Sequence, residues 1–525
     1  MKGRLHLPPC PPGLPILGNL HQMAGALPHR SLWELSLRHG PVMMLRLGRV
    51  PVLVVSSAEA VRDVLKTHDA DCCTRPDMPG PRRISYNHKD LSFTPYSEHW
   101  RQMRKLFVLE FRSKKLVQAI WETREAEVHK LMGKLASAGR EPVFVEDRIF
   151  GCMDDIIGTV AFGNIYGAEQ FVQRQHFRDV INEAMIARSS FCAEDYFPNT
   201  LGRLVDRLTG LVSRREMVFK EFDAFFETII EHHLNPSRII PDQGEDLIDD
   251  LIDALMKEEQ GSLRFGRERV KALLSNIYIG AVDTGSVTIV WAMTELIRNP
   301  RVLKKVQHEI RTVVGNKERV QQDDFPALKY LRMVVLETLR LHPAFPLLVP
   351  RETMRQIKVT GYDVPAKTRL LVNAWAMGLF LNCISISREY FQQGRDQAYW
   401  DNPEQFNPDR FECKNVNFNG TAHFEYVPFS AGRRMCPGVA VGLATIEFFL
   451  ANMLYHFDWE LPDGMTTENI NVEEAGGLTV HKKTPLVLVP TIYKPHLADQ
   501  LVNSIGGAID KVGNRAYYAV PLLQN

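Results

Sequence analysis

The chain has 525 residues, 45% of them hydrophobic and 24% charged, and 63 Lys plus Arg against 62 Asp plus Glu leave a formal net charge of +1. Such proportions belong to a folded globular protein and exclude a disordered, collagen-like or coiled-coil chain, while the even charge balance argues against a nucleic-acid partner. Eight cysteines without a C-x-x-C pair give neither a disulfide scaffold nor a structural zinc site, and read as reduced thiols.

Seven residues precede the run Pro8-Pro9-Cys10-Pro11-Pro12-Gly13-Leu14-Pro15. So much proline makes a stiff, extended segment, read either as a hinge between an anchor and a folded body or as an ordinary ragged start. No segment is expected to cross a bilayer, because the longest apolar stretch, 439–454, is broken by Glu447 and a span needs ~20 predominantly apolar residues. Residues 42–55 alternate around Gly48-Arg49, the pattern of a hairpin. Helical periodicity then dominates over 97–108, 115–135, 217–234, 245–257, 267–298 and 327–341. Phe219, Phe222, Phe225 and Phe226 recur at helix spacing and read as core. With no repeat and no Gly/Ser linker, the body is one large, mainly α domain with small β-sheets.

The sharpest chemical signal is 426–439, Y-V-P-F-S-A-G-R-R-M-C-P-G-V. Cys436 follows a glycine-bearing loop and precedes an apolar helical run that begins near Val439. Free N–H groups and the positive dipole end at such a helix start favour a thiolate, and Arg433 and Arg434 add positive charge. On these grounds Cys436 is a nucleophile, a metal ligand or a buried inert thiol. Glu337 and Arg340 share a helix face among Met333, Val334, Val335, Leu336, Leu339 and Leu341, which leave little room for water. Helix 267–298 carries Gly280 and Gly285 in its middle, each costing ~1 kcal/mol against Ala, and Thr284 can bond back to a carbonyl. Close helix packing accounts for these small residues as well as a ligand does. Trp100 and Arg104, four apart, can clamp one carboxylate or form ordinary surface.

The string Phe429-x-x-Gly432-x-Arg434-x-Cys436-x-Gly438 resembles, residue for residue, the haem-binding loop of the cytochrome P450 family, and the other three segments occur in that family's order. The resemblance implies a cytochrome P450 fold and haem b with Cys436 as the axial thiolate on iron, a donor that favours O–O cleavage. It places Arg434, Trp100 and Arg104 on the haem propionates, with Arg351 as a helper. It implies a buried structural network of Glu337, Arg340 and Arg410, the last from Phe406-Asn407-Pro408-Asp409-Arg410-Phe411, where Asp409 stands in place of the more usual Glu. Asp283 and Thr284 match the acid–alcohol pair that orders water and relays protons to dioxygen. Ala281 and Gly285 replace the usual glycine and Thr or Ser, leaving that pair intact while changing the shape of the pocket.

From the hinge to Val489 the chain is similar to the plant microsomal A-type (71 clan) members. That similarity implies an endoplasmic-reticulum membrane enzyme with its catalytic domain facing the cytosol, drawing electrons from NADPH through NADPH-cytochrome P450 reductase. It implies insertion of one atom of O2 into a small apolar plant metabolite of terpenoid, indolic, phenolic or aldoxime type. Ile277, Gly280, Ala281, Phe345, Leu347 and Leu478 are the expected pocket residues. Arg101, Lys105, Lys114, Lys115 and Arg433 form a docking face for an acidic reductase or a solvated surface. The expected organisation is 1–19 as hinge without the family's membrane helix, 20–494 as the haem-thiolate domain, and 495–525 as a tail past the family's usual end. Residues 379–394 interrupt the family's direct step from Gly378 to Arg395-Asp396, and each of these departures reads as a gene-model boundary. The rival readings are a haem-thiolate dehydratase or isomerase that works without O2, and a defective haem-binding protein. Asp283-Thr284 favours the monooxygenase.

Overall fold

The computed structural model describes residues 5–23, 25, 27–111, 113–163, 166, 174–238, 247–258, 266–380, 402–412, 414, 416, 418, 423–477 and 479–493. Leu478, the tail 495–525 and all of the 379–394 segment beyond Phe380 lie outside the described residues.

The Arg267–Arg298 helix runs 32 residues without a break and packs on Val145–Phe162, Val439–His456 and Lys329–Leu341. A helix apolar on all sides belongs in the middle of a large core, and this one is buried from Val270 to Ile297 except at Asn276, Gly280, Ala281, Asp283 and Thr284. Four of those five lie within one and a half turns. An opening halfway along a core helix marks an internal cavity, and it falls where the sequence expects the oxygen-side residues. Arg267–Arg298 and Val439–His456 are both long and apolar enough to span a membrane by composition, yet 72% and 67% of their apolar windows are buried inside the protein. They are core helices.

The expected hairpin is present as strands Val42–Leu47 and Val50–Val55 in antiparallel register, turning at Gly48 with φ 61°. Val50–Val55 pairs in parallel with Arg369–Val372, which Arg351–Glu352 flanks antiparallel. A second sheet joins Val143–Phe144, Val487–Ile492 and Phe457–Glu460, and two short ribbons complete the β portion. The helices Glu98–Glu110, Lys114–Ser137, Leu247–Glu258 and Lys329–Leu341 match the periodic segments to within about two residues. Leu211–Leu234 begins six residues earlier than its apolar pattern suggests. Tertiary contact extends it there: the buried Arg215 guanidinium donates to Ala187 O at 3.2 Å and to Cys192 Sγ at 3.4 Å. Phe219, Phe222, Phe225 and Phe226 are all buried.

Glu337 and Arg340 are completely buried and joined at 2.7 and 2.8 Å. Arg410 donates to the same carboxylate at 3.0 Å, as does the Asn407 N–H at 2.8 Å. Asp409 turns outward to Lys305 at 2.5 Å, so its shorter side chain leaves the network untouched. Arg340 spends its remaining donors on the carbonyls of Gly378 at 2.8 Å, Pro403 at 2.7 Å and Gln405 at 3.3 Å. A Cβ on Gly378 would lie 2.7 Å from Arg340 O. That close approach requires glycine.

Candidate functional site

The loop before the Val439–His456 helix is folded by its own backbone. Ser430 N–H donates to Val427 O at 2.9 Å, Met435 N–H to Gly432 O at 3.0 Å and Cys436 N–H to Phe429 O at 3.0 Å. Gly432 has φ 69°, and a Cβ there would sit 2.3 Å from Asp69 Oδ1 and 2.5 Å from Leu65 O. Both constraints select glycine. The buried Asp69 carboxylate accepts from the Arg433 N–H at 3.2 Å, from the Arg433 guanidinium at 2.8 Å and from Arg351 at 3.1 Å. Arg351 also donates to Ser430 Oγ at 3.1 Å and Ala431 O at 2.7 Å. Asp69 and Arg351 therefore clamp the cysteine loop from behind. Nothing in the run His68-Asp69-Ala70-Asp71 signals this role.

Cys436 is exposed as a residue, although protein packs closely around its sulfur. Burial raises its thiol pKa, and the Gly438 N–H and Arg104 only partly oppose that rise. The helix start opposes that rise as expected, through the Gly438 N–H, whereas the adjacent Arg433 and Arg434 do not. Arg433 is spent on Asp69, and Arg434 points to the carbonyls of Cys73 at 2.8 Å, Leu91 at 3.3 Å and Thr94 at 2.7 Å. Desolvation then wins, and a bound cation is what such a thiol needs to ionise.

The surrounding charge is lopsided. The Arg434 guanidinium lies 3.9 Å from the Trp100 ring, and its pKa falls to about 9, through burial first and then the nearby Arg351 and Arg104. Arg75 is lowered by burial and by Arg434 and Arg351, while it donates to the carbonyls of Ser92, Val349 and Pro350. Arg104 donates to Met435 O at 2.7 Å, one residue before the cysteine, and Trp100 Nε1 to Leu91 O at 3.0 Å. Four arginines thus crowd the cysteine loop, with Asp69 and Asp90 as the acids that act on them. A ligand bearing carboxylates supplies the missing counter-charge, and the propionates of haem fit that requirement. Arg75 belongs to this cluster, although a lone Arg before Pro76 gave no spacing by which to find it.

Across the helix opening, the Thr284 hydroxyl donates to Gly280 O at 2.7 Å on the accessible side. Gly280 faces open space, whereas a Cβ at Gly285 would lie 2.7 Å from Met153 Cε. The two glycines therefore do different work: one opens the cavity and the other admits a neighbouring helix. Ser286 is fully buried and bonded to Val282 O at 2.7 Å. Asp283 is held from outside its helix, with Oδ1 at 3.0 Å from His481 Nε2 and Oδ2 accepting the Thr479 hydroxyl. Ile277 is buried in the main core, and Ala281 packs half-buried against it. Phe345 and Leu347 line an apolar cavity of about 200 Å³ together with Phe93, Gly476, Gly477 and Val480. A larger cavity of about 420 Å³ lies elsewhere, among Lys130, Lys134, Asp147 and Arg178, and its charge does not suit an apolar substrate.

A glycine-shaped loop carrying an exposed cysteine, a cluster of arginines with few acids beside it and an opened core helix together fit the haem-thiolate class. The family profile described as Cytochrome P450 matches residues 8–489. A 4-hydroxyphenylacetaldehyde oxime monooxygenase of Sorghum bicolor is 53% identical over 495 residues, covering 94% of this chain and 90% of that protein. Cytochrome P450 71B20 of Arabidopsis thaliana is 46% identical over 92% and 94% of the two chains, and a 2-methylbutanal oxime monooxygenase of Manihot esculenta 43% over 94% and 92%. A zebrafish cytochrome P450 solved with progesterone superposes with TM-score 0.71 over 90% of this chain and all of that one, at 23% identity.

The chain belongs to the cytochrome P450 family. It is a monooxygenase of haem-thiolate type, with haem b as cofactor and O2, a redox partner and a small molecule as its reaction partners.

Proposed function

We propose that this enzyme oxygenates an aldoxime of small aryl or alkyl type, taking electrons from NADPH through NADPH-cytochrome P450 reductase. The observation that carries the reading is the 53% identity to an oxime monooxygenase over nearly the whole of both chains, with a second oxime monooxygenase at 43%. The apolar wall of Phe93, Phe345 and Leu347 suits the hydrocarbon part of such a substrate.

Cys436 is the residue we assign to the iron, supported by its exposure and by a loop folded on three backbone hydrogen bonds. Arg104, Arg434 and Trp100 are assigned to the propionates, with Arg75 and Arg351 completing the cationic wall. When bound, haem supplies oxygen activation, for which a thiolate donor is suited. Gly280 and Ala281 keep the helix face low beside that space, and the Asp283 carboxylate and Thr284 hydroxyl hold and move protons there. Retention of both groups favours oxygenation over dehydration or isomerisation.

The native enzyme is assigned to the endoplasmic-reticulum membrane, catalytic domain toward the cytosol. Support comes from the Thr200–Leu208 helix, whose Leu201, Leu204, Val205 and Leu208 are 61%, 49%, 38% and 78% exposed. Their spacing puts all four on one face, as a helix lying in a bilayer interface requires.

The test is reconstitution with the reductase. Binding spectra with 4-hydroxyphenylacetaldehyde oxime and an alkyl aldoxime should show iron's spin-state change, followed by NADPH-dependent product. Cys436→Ala should lose the thiolate-type reduced-carbonyl band. Retention of that band would refute the ligand assignment, and turnover of the oxime without NADPH would refute the monooxygenase.

A further inference from the structure

Asp283 is held from outside its own helix. His481 and Lys482 form a short ribbon with Glu474 and Ala475, and from it His481 Nε2 reaches Asp283 Oδ1 at 3.0 Å and Thr479 Oγ1 at 2.9 Å. Thr479 donates its own proton to the other oxygen of Asp283. The imidazole Nε2–H and the threonine hydroxyl therefore fix both carboxylate oxygens, and fix each other. The Phe150 ring stacks over the imidazole at 5.8 Å and 16°, which sets the plane of the ring.

The two ends of the contact differ in their access to water: the His481 side chain is 40% exposed and that of Asp283 14%. The charged groups around the imidazole are Asp283 on the Arg267–Arg298 helix, Glu146 on the Val145–Phe162 helix and Lys482 next to it on the ribbon. Burial lowers the His481 pKa, but Asp283 and Glu146 outweigh it and the net shift is upward. Burial raises Glu146, whose Oε1 has no hydrogen-bond partner among the described residues. Two acids thus share one histidine. The same segment carries Gly476, Gly477 and Val480 in the wall of the apolar cavity, so the contact joins Asp283 and its helix to a wall of that cavity.

We propose that His481 is a positioning residue for the reaction: it orients the Asp283 carboxylate through Nε2, with Thr479 as third member, and so governs how much reducing power reaches product. This rests on the monooxygenase reading above. The imidazolium holds Asp283 by charge as well as by a hydrogen bond, and the neutral ring holds it by the hydrogen bond alone. The grip is accordingly strongest at lower pH and weakens as pH rises through the histidine's pKa, which lies above 6.5.

The experiment uses the holoenzyme with reductase and compares His481→Phe, His481→Gln and Asp283→Asn. His481→Phe should lower product per NADPH at least about tenfold, the scale of one charge-assisted hydrogen bond, with the reduced-carbonyl band unchanged. In the unaltered enzyme product per NADPH should fall as pH rises through the His481 transition. His481→Gln, which keeps a donor but does not titrate, should restore part of the loss and show no such transition. Independently of turnover, the His481 ring C–H resonance should titrate above 6.5, and its midpoint should drop in Asp283→Asn. Superimposable pH profiles for the unaltered enzyme and His481→Gln would overturn the proposal, as would a midpoint indifferent to Asp283→Asn. Loss of NADPH-dependent turnover in the unaltered enzyme would sink the monooxygenase reading instead, and leaves the ring titration standing as a test of the contact.

Discussion

Replacing His456 by phenylalanine should change how the stability of this protein depends on pH, and the size of the change can be worked out beforehand. His456 ends the Val439–His456 helix and is 1% exposed; neither ring nitrogen meets a hydrogen-bond partner among the described residues. Burial, with a smaller contribution from His129, lowers its pKa from 6.5 to about 3. Between those two values the unfolded chain carries a proton on this ring and the folded chain does not, so stability falls as pH drops below 6.5. A shift of that size amounts to at most ~5 kcal/mol in strong acid, of which ~2 kcal/mol has accrued by pH 5 and almost none at pH 7.5. Phenylalanine has similar bulk and nothing to protonate, and it relieves two unpaired nitrogens, a gain of order 1 kcal/mol at neutral pH. Denaturant unfolding of both proteins, followed by tryptophan fluorescence at pH 7.5 and pH 5, isolates the effect as a difference of differences. The variant should gain a further ~2 kcal/mol on the parent at pH 5. Parallel pH dependences would show that the ring is hydrated or protonated when folded, and would refute the reasoning.

Glu337→Gln leaves Arg340 and Arg410 facing a neutral group where Glu337 and Arg340 have no exposure at all, and should cost ~3–5 kcal/mol, read as a lower unfolding midpoint and poor haem retention. Unchanged stability would mean that water reaches the network. Thr284→Ala should keep the carbonyl spectrum and divert NADPH to peroxide, because Ser286 is buried and bonded to Val282 O and cannot substitute; unaltered product per NADPH would mark Thr284 as a packing residue. Deleting 379–394, which rejoins Gly378 to Arg395, should raise the yield of correctly ligated protein by removing the apolar Leu379, Phe380, Leu381, Ile384 and Ile386. Equal yield and stability in the two proteins would show that the segment is harmless.

Much of this structure is legible where one stretch of chain carries its own pattern. The 267–298 helix is bounded at both ends as expected because Gly266 and Asn299-Pro300 stop it, and the Phe219–Phe226 aromatics declare their buried face by spacing. The Glu337–Arg340 pair is legible for the same reason: its partners lie three residues apart. Asp69 is not, because it meets Arg433 across 364 positions. His481 reaches a helix that ended nearly two hundred residues before it, and no local spacing encodes such a meeting. The desolvation of Cys436 is illegible for a different reason. Helix position and neighbouring arginines can be read from a sequence, but the desolvation that outweighs them exists only after the chain has closed around the sulfur.

The Arg340 guanidinium holds the carbonyl of Gly378 with one hand and those of Pro403 and Gln405 with the other. Both banks of the 379–402 crossing are therefore moored to a single buried group, itself anchored by Glu337. What passes between them changes little in the free energy of the fold, since doubling the length of a loop costs only about 0.6 kcal/mol once its ends are fixed. This scaffold thus has a socket at which the length of chain can vary at little cost in loop closure. The same socket is where an engineer would splice in a reporter peptide or a tethering domain.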